Sequence, residues 1–207
     1  MKISIVRIAV VTSFLLLGSQ RGYSQGTFQN LNFENPIPPL IPGLVPVTNA
    51  LPGWTGYLNG NPTDVVFFRN VALGAPSISV VDSLSLSYQP IQGNYSVFLN
   101  NAAIGQTGQI PGDASSLLFL RVSQFGFQVS FGGQSIPLVQ FGTSGNNIIM
   151  AGDISMFAGQ TGELKFVGGG LFDAIRFSSQ PIPEPGTVLL LIMGLGLFGI
   201  RRWKSLK

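Results

Sequence analysis

The sequence predicts an all-β protein, built as an antiparallel β-sandwich. Between residues 25 and 179, short apolar runs alternate with Gly, Pro, Asn and Ser, the residues that end strands and form turns. No stretch of this region has the 3.6-residue periodicity of a long amphipathic helix. Two stacked sheets are the simplest way to bury the apolar faces of about nine or ten short strands.

One run shows the strand pattern most clearly. In residues 125–131, Phe and Val alternate with Gly, Gln and Ser, which puts the large side chains on one face. Gly132 and Gly133 follow, and two glycines between apolar runs predict a tight hairpin turn, because such turns need positive φ angles. Residues 135–141 then form the returning strand, in which Pro137 has no N–H to donate and indicates an edge or a bulge.

Other apolar runs predict the remaining strands, at 28–33, 65–68, 78–81, 94–99, 117–122, 148–150, 164–167 and 172–177. A single helical turn is predicted at 153–158, with Asp153 as its N-cap and Gly159 at its end. The sequence shows no internal repeat. A region of this length can bury a complete apolar core without disulfides.

Charged residues are concentrated at the two ends of the chain. The chain has 11 basic and 8 acidic residues, but only four of the basic residues lie between positions 25 and 182, against seven of the acidic ones. The central region is therefore acidic. The basic ends indicate handling by a membrane rather than binding to nucleic acid.

Missing residue types exclude several kinds of catalysis. The chain contains no cysteine and no histidine, which excludes disulfides, thiol chemistry, Ser-His-Asp and Cys-His triads and histidine metal centres. A glycosidase with two carboxylates stays open, although the acidic residues lie singly among turns. The run Gly168-Gly169-Gly170 lacks the Lys-Ser/Thr of a phosphate-binding loop. The sequence therefore predicts that the protein is not an enzyme.

The N-terminus has the three parts of a secretory signal peptide. Two basic residues precede the apolar stretch 8–17, and small and polar residues follow it. Gly22 and Ser24 are small residues at the spacing that signal peptidase reads, which predicts cleavage between Ser24 and Gln25. The alternative is a retained anchor, but the apolar stretch is short for one. Residues 1–24 are therefore predicted to be removed on export.

The C-terminal segment 180–207 also has three unlike parts: the rigid tripeptide Pro183-Glu184-Pro185, an apolar run at 187–200, and a basic tail that begins with Arg201 and Arg202. As a helix, an apolar run of about 14 residues reaches only ~21 Å, short of the ~30 Å hydrocarbon core of a bilayer. The sequence predicts one short transmembrane helix that retains the chain weakly, with the two arginines on the cytoplasmic side. The prolines keep Glu184 extended and accessible to a processing enzyme.

This tail resembles the PEP-CTERM sorting signal of Gram-negative bacteria in the order of its three parts. The resemblance implies recognition by an exosortase, a membrane cysteine protease of bacteria that make exopolysaccharide. It also implies transient anchoring in the inner membrane, followed by release to the cell surface or the extracellular space. The alternative is an ordinary single-span anchor preceded by a chance Pro-Glu-Pro.

The central domain, residues 25–179, is similar in a more general way to jelly-roll domains of the galactose-binding-like class. The similarity rests on short segments in the expected order: LNFENP, LPGWTGY, GNYSVFLN, IGQTGQIP and FDAIRFS. It implies a jelly-roll type of sandwich. It implies no particular ligand, because each segment is short.

Two acidic residues are candidate metal ligands under that resemblance. Glu34 and Asp173 fall on the predicted first and last strands, which are neighbours in many such sandwiches. Relatives of this class bind a structural calcium ion in that region, and the sequence predicts no other cofactor. The alternative is that both residues are solvated or cap turns.

Two aromatic residues are candidates for stacking on a sugar ring. Trp54 and Tyr57 follow a Pro-Gly turn, and aromatic faces pack well on the apolar C–H surface of a sugar. The alternative is that such a turn places the indole at the edge of the core. Asparagines crowd the predicted loops, and they serve equally well as turn residues or as readers of sugar hydroxyls: Asn59, Asn61, Asn100 and Asn101.

The sequence thus predicts an exported, noncatalytic protein of the cell surface or extracellular matrix. Its expected partners are signal peptidase and an exosortase during processing, the membrane through the C-terminal helix, and an extracellular polysaccharide. The alternative is a structural or adhesive envelope protein without affinity for glycans, which uses strand edges or loops to contact other proteins. A carbohydrate-active enzyme is the more distant alternative.

Overall fold

The computed structural model describes residues 26–122 and 126–182. The predicted signal peptide, the Pro-Glu-Pro tripeptide, the apolar run and the basic tail lie outside these ranges. The described part forms twelve strands: β1 Gly43–Pro46, β2 Thr55–Leu58, β3 Asn61–Thr63, β4 Val65–Phe68, β5 Ser77–Val81, β6 Ser96–Gln109, β7 Ser116–Arg121, β8 Phe127–Phe131, β9 Gln134–Ile136, β10 Leu138–Ser144, β11 Asn147–Asp153 and β12 Thr161–Ser178. It also contains a one-turn helix, α1 Val47–Ala50, and a 3-10 turn, Ser155–Phe157.

All twelve strands belong to one hydrogen-bonded sheet. Its main path runs β1-β4-β5-β6-β12-β7-β11-β10, while β2 and β3 attach through β6, and β8 and β9 attach through β12. The protein is therefore mostly β-sheet, as predicted. The expectation of a purely antiparallel arrangement is wrong at one place, because β4 and β5 pair in parallel. The loop at residues 69–76 connects these two strands.

Strands β6 and β12 extend through the whole sheet and join its two parts, one that contains β8 and one that contains β7. The first part of β12 pairs with β8, and its second part pairs with β7, while β6 lies beside it along almost the whole length. The ladder between β6 and β12 shifts register between Gly168 and Gly170. The sheet bends at this shift, which we call the crease.

Aromatic side chains on both sides of the crease meet in the core. The rings of Phe166 and Phe172, which flank the crease on β12, stack with their centroids 5.2 Å apart. Phe119 on β7 contacts Phe127 on β8 at 6.0 Å, although these strands pair with different parts of β12. The two parts of the sheet therefore face each other, and the layers predicted as two separate sheets are joined by continuous strands.

Several predicted strands are confirmed, and the differences have local causes. The strand at 127–131 alternates buried and more exposed residues as expected, and Phe125 lies outside the described residues. Pro137 separates β9 from β10, so the predicted strand at 135–141 is two strands. The predicted strand at 28–33 is wrong, because Asn30 and Phe33 have φ angles of 50° and 57°, in the left-handed region that strands do not use.

The predicted helical turn is confirmed as the 3-10 turn, but the predicted N-cap is wrong, because Ile154 and not Asp153 occupies that position. Asp153 Oδ1 accepts hydrogen bonds from the backbone N–H and the hydroxyl of Ser155, at 2.9 and 2.7 Å. Gly159, with a φ of 75°, follows it. Within residues 26–122 and 126–182, no helix has the length and hydrophobicity needed to cross a bilayer.

Candidate functional site

The crease opens a gap in the ladder between β6 and β12. Residues 168–170 of β12 face residues 99–102 of β6, so Gly169 lies opposite both Asn100 and Asn101. Asn101 has a φ of 45°, a left-handed conformation that Asn tolerates better than most residues. Bulges of this kind leave backbone groups unpaired and redirect side chains, and they are common beside binding sites.

The backbone favours glycine at two positions of the crease, because Gly168 and Gly170 have φ angles of 146° and 116°. A Cβ at Gly168 would also collide with the carbonyl oxygen of Gly126, the residue before β8. Gly169 differs, since a Cβ there would have only Leu99 O within 4 Å, at 3.8 Å. The backbone of β12 thus approaches β8 closely at Gly168 and borders open space at Gly169.

An open cleft of about 430 Å³ lies at the crease. Neutral residues line it, among them Leu73, Tyr88, Phe98, Asn100, Asn101 and Gly169. Tyr88 stacks on Phe98 with ring centroids 4.8 Å apart and an interplanar angle of 28°. This stacking gives the cleft an aromatic wall, and the exposed residue Asn101 lines the same cleft.

Asn100 fixes the rim of the cleft. Its Nδ2 group donates to the carbonyl oxygens of Ala72, Leu73 and Ala75, at 3.2, 3.1 and 2.8 Å. One side chain therefore holds the loop before β5 against β6. The cleft is preorganised by this contact and by the aromatic stack.

The lining of the cleft combines aromatic, amide and backbone groups. Among the described residues that line it there is no carboxylate, lysine or arginine, and Tyr88 supplies the one side-chain hydroxyl. Amide and backbone groups beside an aromatic wall suit a neutral ligand that carries both hydroxyls and apolar surface.

The structure places Glu34 against the segment that leads into β6. Its Oε1 atom accepts hydrogen bonds from the backbone N–H groups of Asn94 and Tyr95, at 2.8 and 3.1 Å. Its Oε2 atom accepts a further bond of 3.0 Å from Asn94 Nδ2. Glu34 therefore holds this segment from the outside.

Asp173 holds the same segment from the inside of the protein. It accepts hydrogen bonds from Ser96 Oγ at 2.6 Å and from the N–H groups of Gln92 at 3.3 Å and Ala174 at 2.5 Å. Burial raises the pKa of Asp173 to about 7, while these three hydrogen bonds act in the opposite direction and the charge of Glu34 adds to the rise. Ala174 has a φ of 53°, which places its N–H on the carboxyl of Asp173.

The two predicted calcium ligands thus lie on either side of residues 92–96. Hydrogen-bond donors face their oxygen atoms, whereas a calcium ion needs several oxygen ligands that point towards one centre. The described residues contain no group of three or more acidic side chains that could hold a metal ion. Calcium binding stays a prediction, and what the contacts provide is an anchor for the segment before β6.

Trp54 lies in the core, the alternative that the sequence left open. The residue is only 4% exposed, its Nε1 atom donates to Asn30 O at 3.1 Å, and its ring contacts Phe33 and Phe166. Protein atoms therefore occupy the faces of the indole, and stacking of Trp54 on a sugar is not compatible with this position.

Tyr57 lies on the outer surface of the sheet. Its hydroxyl donates to Glu163 Oε1 at 2.6 Å, and Lys165 Nζ lies 3.6 Å from the centre of its ring. The bond to Glu163 raises the pKa of Tyr57 to about 12. The hydroxyl and one ring face are therefore already used by protein groups, and Tyr57 lies outside the cleft.

The sequence pointed to some residues of the cleft but not to their proximity. The three consecutive glycines and the Asn100-Asn101 pair were visible, but not that they face each other. Tyr88 was missed, because one tyrosine in a loop carries no local signal. Only the pairing of β6 with β12 brings these residues together.

A comparison with family models explains the end of the chain. The model of the PEP-CTERM protein-sorting motif matches residues 181–204. The chain carries a PEP-CTERM sorting motif. The match confirms the resemblance seen in the sequence and indicates an extracellular protein that an exosortase sorts to the cell surface. Comparisons with curated proteins and with solved structures found no match.

The sorting motif begins directly after the sheet. Strand β12 ends at Ser178, and Ser116 Oγ donates to Gln180 O at 2.8 Å, which ties the chain to β7. The predicted processing residues Pro183, Glu184 and Pro185, and the predicted retention residues Arg201 and Arg202, belong to the matched range but lie outside the described residues. Ser24 and Gln25 at the predicted signal cleavage site also lie outside them.

Proposed function

We propose that this protein is a noncatalytic component of the cell surface or extracellular matrix that binds neutral sugar units of an extracellular polysaccharide. The cleft at the crease is the observation that carries the proposal. It combines an aromatic wall at Tyr88 with the amide of Asn101 and the backbone of Gly169, and its lining is neutral among the described residues. Sugars present hydroxyls to such amides and C–H surfaces to such rings.

The position of the cleft supports the same function. The sorting motif indicates an extracellular protein, and an open cleft can admit a part of a long polymer. The crease is built on β6 and β12, the two longest strands of the described sheet, and Asn100 holds the loop before β5 against β6. A rigid site loses little conformational entropy when a ligand binds.

The proposed route to the surface has three steps. Signal peptidase removes residues 1–24, the short apolar run at 187–200 retains the chain in the inner membrane of a Gram-negative bacterium, and an exosortase cuts near Pro183-Glu184-Pro185. The basic tail keeps Arg201 and Arg202 on the cytoplasmic side. The acidic domain then leaves without its two basic ends.

Polysaccharide binding is tested with the purified full chain in detergent and the exopolysaccharide of the source organism, by calorimetry or pull-down. Asn101→Gly removes the amide while keeping the left-handed backbone, and Tyr88→Phe removes only the hydroxyl. Each change is expected to weaken the affinity about 2- to 10-fold, because this is the effect of losing one neutral hydrogen bond. Gly169→Leu is expected to abolish it by narrowing the cleft.

Asn59→Gly is the matched control. Asn59 also has a left-handed backbone, with a φ of 52°, but it lies in the turn between β2 and β3, away from the cleft. It should bind as the wild type does. Equal affinity of all four variants, or no binding by the wild type, contradicts the proposal.

A structural or adhesive role without glycan affinity is the second candidate. One strand at the edge of the sheet favours it, because β10 has no partner on its outer side among the described residues. Edge strands of this kind contact other proteins by strand addition.

A further inference from the structure

Four strands of the described sheet have a partner on one side only: β1, β3, β9 and β10. Three of them are short and carry or adjoin a proline. β1 has four residues and ends at Pro46, β3 has three residues with Pro62 at its centre, and β9 has three residues followed by Pro137. Short length and proline both prevent a further strand from pairing with an edge.

The fourth edge strand has neither of these two features. Strand β10 has seven residues, and neither proline nor a charged residue occurs between Leu138 and Ser144. Among the described residues it pairs only with β11, so N–H and C=O groups on the other side of β10 point away from the sheet, with an interruption at the bulge between Gln140 and Gly142. Exposed apolar side chains flank these groups, since Val139 is 41% exposed and Phe141 is 50% exposed.

The whole surrounding segment is free of charge. From Val122 to Gly152 the sequence contains no Asp, Glu, Lys or Arg, although both flanking residues, Arg121 and Asp153, are charged. A charged edge repels a second copy of itself, because symmetric pairing brings like charges together. An uncharged edge has no such repulsion, and this property fits β10 to pair with its own copy.

We propose that β10 pairs antiparallel with β10 of a second copy of this chain, which joins the two sheets in a twofold dimer. Phe141 is the central residue of the strand, so the axis that uses all seven residues passes at Phe141. A bulge in the ladder to β11 lies at this residue, between Gln140 and Gly142. The two phenylalanine rings pack against each other across the axis. The backbone bonds supply affinity, and the self-complementary apolar residues fix the register.

The absence of cysteine makes a direct test possible. Phe141→Cys in the full chain places two thiols at the axis, within reach of a disulfide, which needs Cα atoms about 4.4 to 6.8 Å apart. Leu44→Cys on the edge strand β1 is the matched control, because Leu44 is 60% exposed on a proline-protected edge. After mild oxidation, non-reducing gels are expected to show a dimer for Phe141→Cys and a monomer for Leu44→Cys.

A second variant tests the dimer without a crosslink. Phe141→Lys sets two ammonium groups against each other at the axis, and it should shift the full chain in detergent from dimer to monomer by light scattering. Leu44→Lys should leave the dimer unchanged, and both variants should melt within a few degrees of the wild type, since both side chains are exposed. A monomeric wild type, a Phe141→Lys variant that stays dimeric, or equal crosslinking at both cysteine positions overturns the proposal.

Discussion

The hydroxyl of Ser96 donates a 2.6 Å hydrogen bond to Oδ2 of Asp173, a carboxyl that is only 1% exposed. The bond joins the first residue of β6 to β12 beside the place where the segment before β6 is anchored. A buried acid in this position makes the stability of the sheet depend on pH.

The first prediction follows from the raised pKa of Asp173. The folded protein holds this proton up to about pH 7, whereas the unfolded chain releases it at the ordinary value of 3.8. The contribution of Asp173 to the free energy of unfolding is therefore complete below about pH 4. Up to ~4 kcal/mol of it is lost as the pH rises to 7. Asp173→Asn should lack this decrease, which urea unfolding of both proteins between pH 4 and 7.5 will measure.

The carboxyl of Asp153 acts in the opposite direction and serves as an internal control. The bonds from Ser155 lower the pKa of Asp153, so its contribution is present at neutral pH and is lost as the pH falls through its folded pKa. The contribution of Asp153 is the same in the wild type and in Asp173→Asn, so it cancels when the unfolding free energies of the two proteins are subtracted. The same pH profile in both proteins would rule out the assigned role of Asp173.

The second prediction concerns Glu34. Three N–H groups donate to the carboxylate of Glu34. Glu34→Gln keeps the size of the side chain but replaces one of the two acceptor oxygens, so we expect the free energy of unfolding to fall by about 1 to 2 kcal/mol. This loss should be the same in calcium and in chelator if Glu34 is only an anchor. Thermal melts in both buffers will test it, and a wild-type melting temperature that rises with calcium, but not in Glu34→Gln, would establish the predicted calcium site instead.

The third prediction compares neighbouring glycines. Gly168→Ala should destabilise the protein by about 1 to 3 kcal/mol, because it strains the backbone and its Cβ collides with Gly126 O. Gly169→Ala should change stability by no more than about 0.5 kcal/mol. Chemical denaturation distinguishes them, and equal losses would contradict the close approach of Gly168 to Gly126 O.

The fourth prediction tests the sorting motif. Glu184→Ala removes the charge of the tripeptide and leaves the apolar run intact, so an unprocessed, membrane-bound form should accumulate. It should be about 2 to 3 kDa heavier than the processed protein, because cleavage there removes roughly 20 to 25 residues. Immunoblots of membrane and surface fractions will show it. Surface peptides that reach Lys207 in the wild type would mean that the tail is a permanent anchor.

The fifth prediction separates retention from recognition. Arg201→Ala together with Arg202→Ala should weaken retention and orientation while leaving the tripeptide unchanged. Unprocessed chain should then appear outside the membrane fraction, unlike the outcome for Glu184→Ala. Identical fractionation of the two variants would show that the arginines and the tripeptide do not act separately.

The sequence by itself determined the features that depend on local patterns. Alternating residues predicted strands such as 127–131, because side chains of a strand point to opposite faces with a period of two. The order of tripeptide, apolar run and basic tail identified the sorting motif, since such motifs are read as linear segments. The absence of cysteine and histidine restricted the chemistry without any knowledge of the fold.

Only the tertiary structure decided which distant residues meet. The cleft needs Asn101 opposite Gly169, 68 positions apart in the numbering, and that pairing follows from the register of β6 with β12. Trp54 proved to be a core residue because Phe33 and Phe166 arrive from other parts of the chain. Burial, not the sequence around it, raises the pKa of Asp173. Contacts of this range depend on how the sheet folds on itself, and no local pattern encodes that bend.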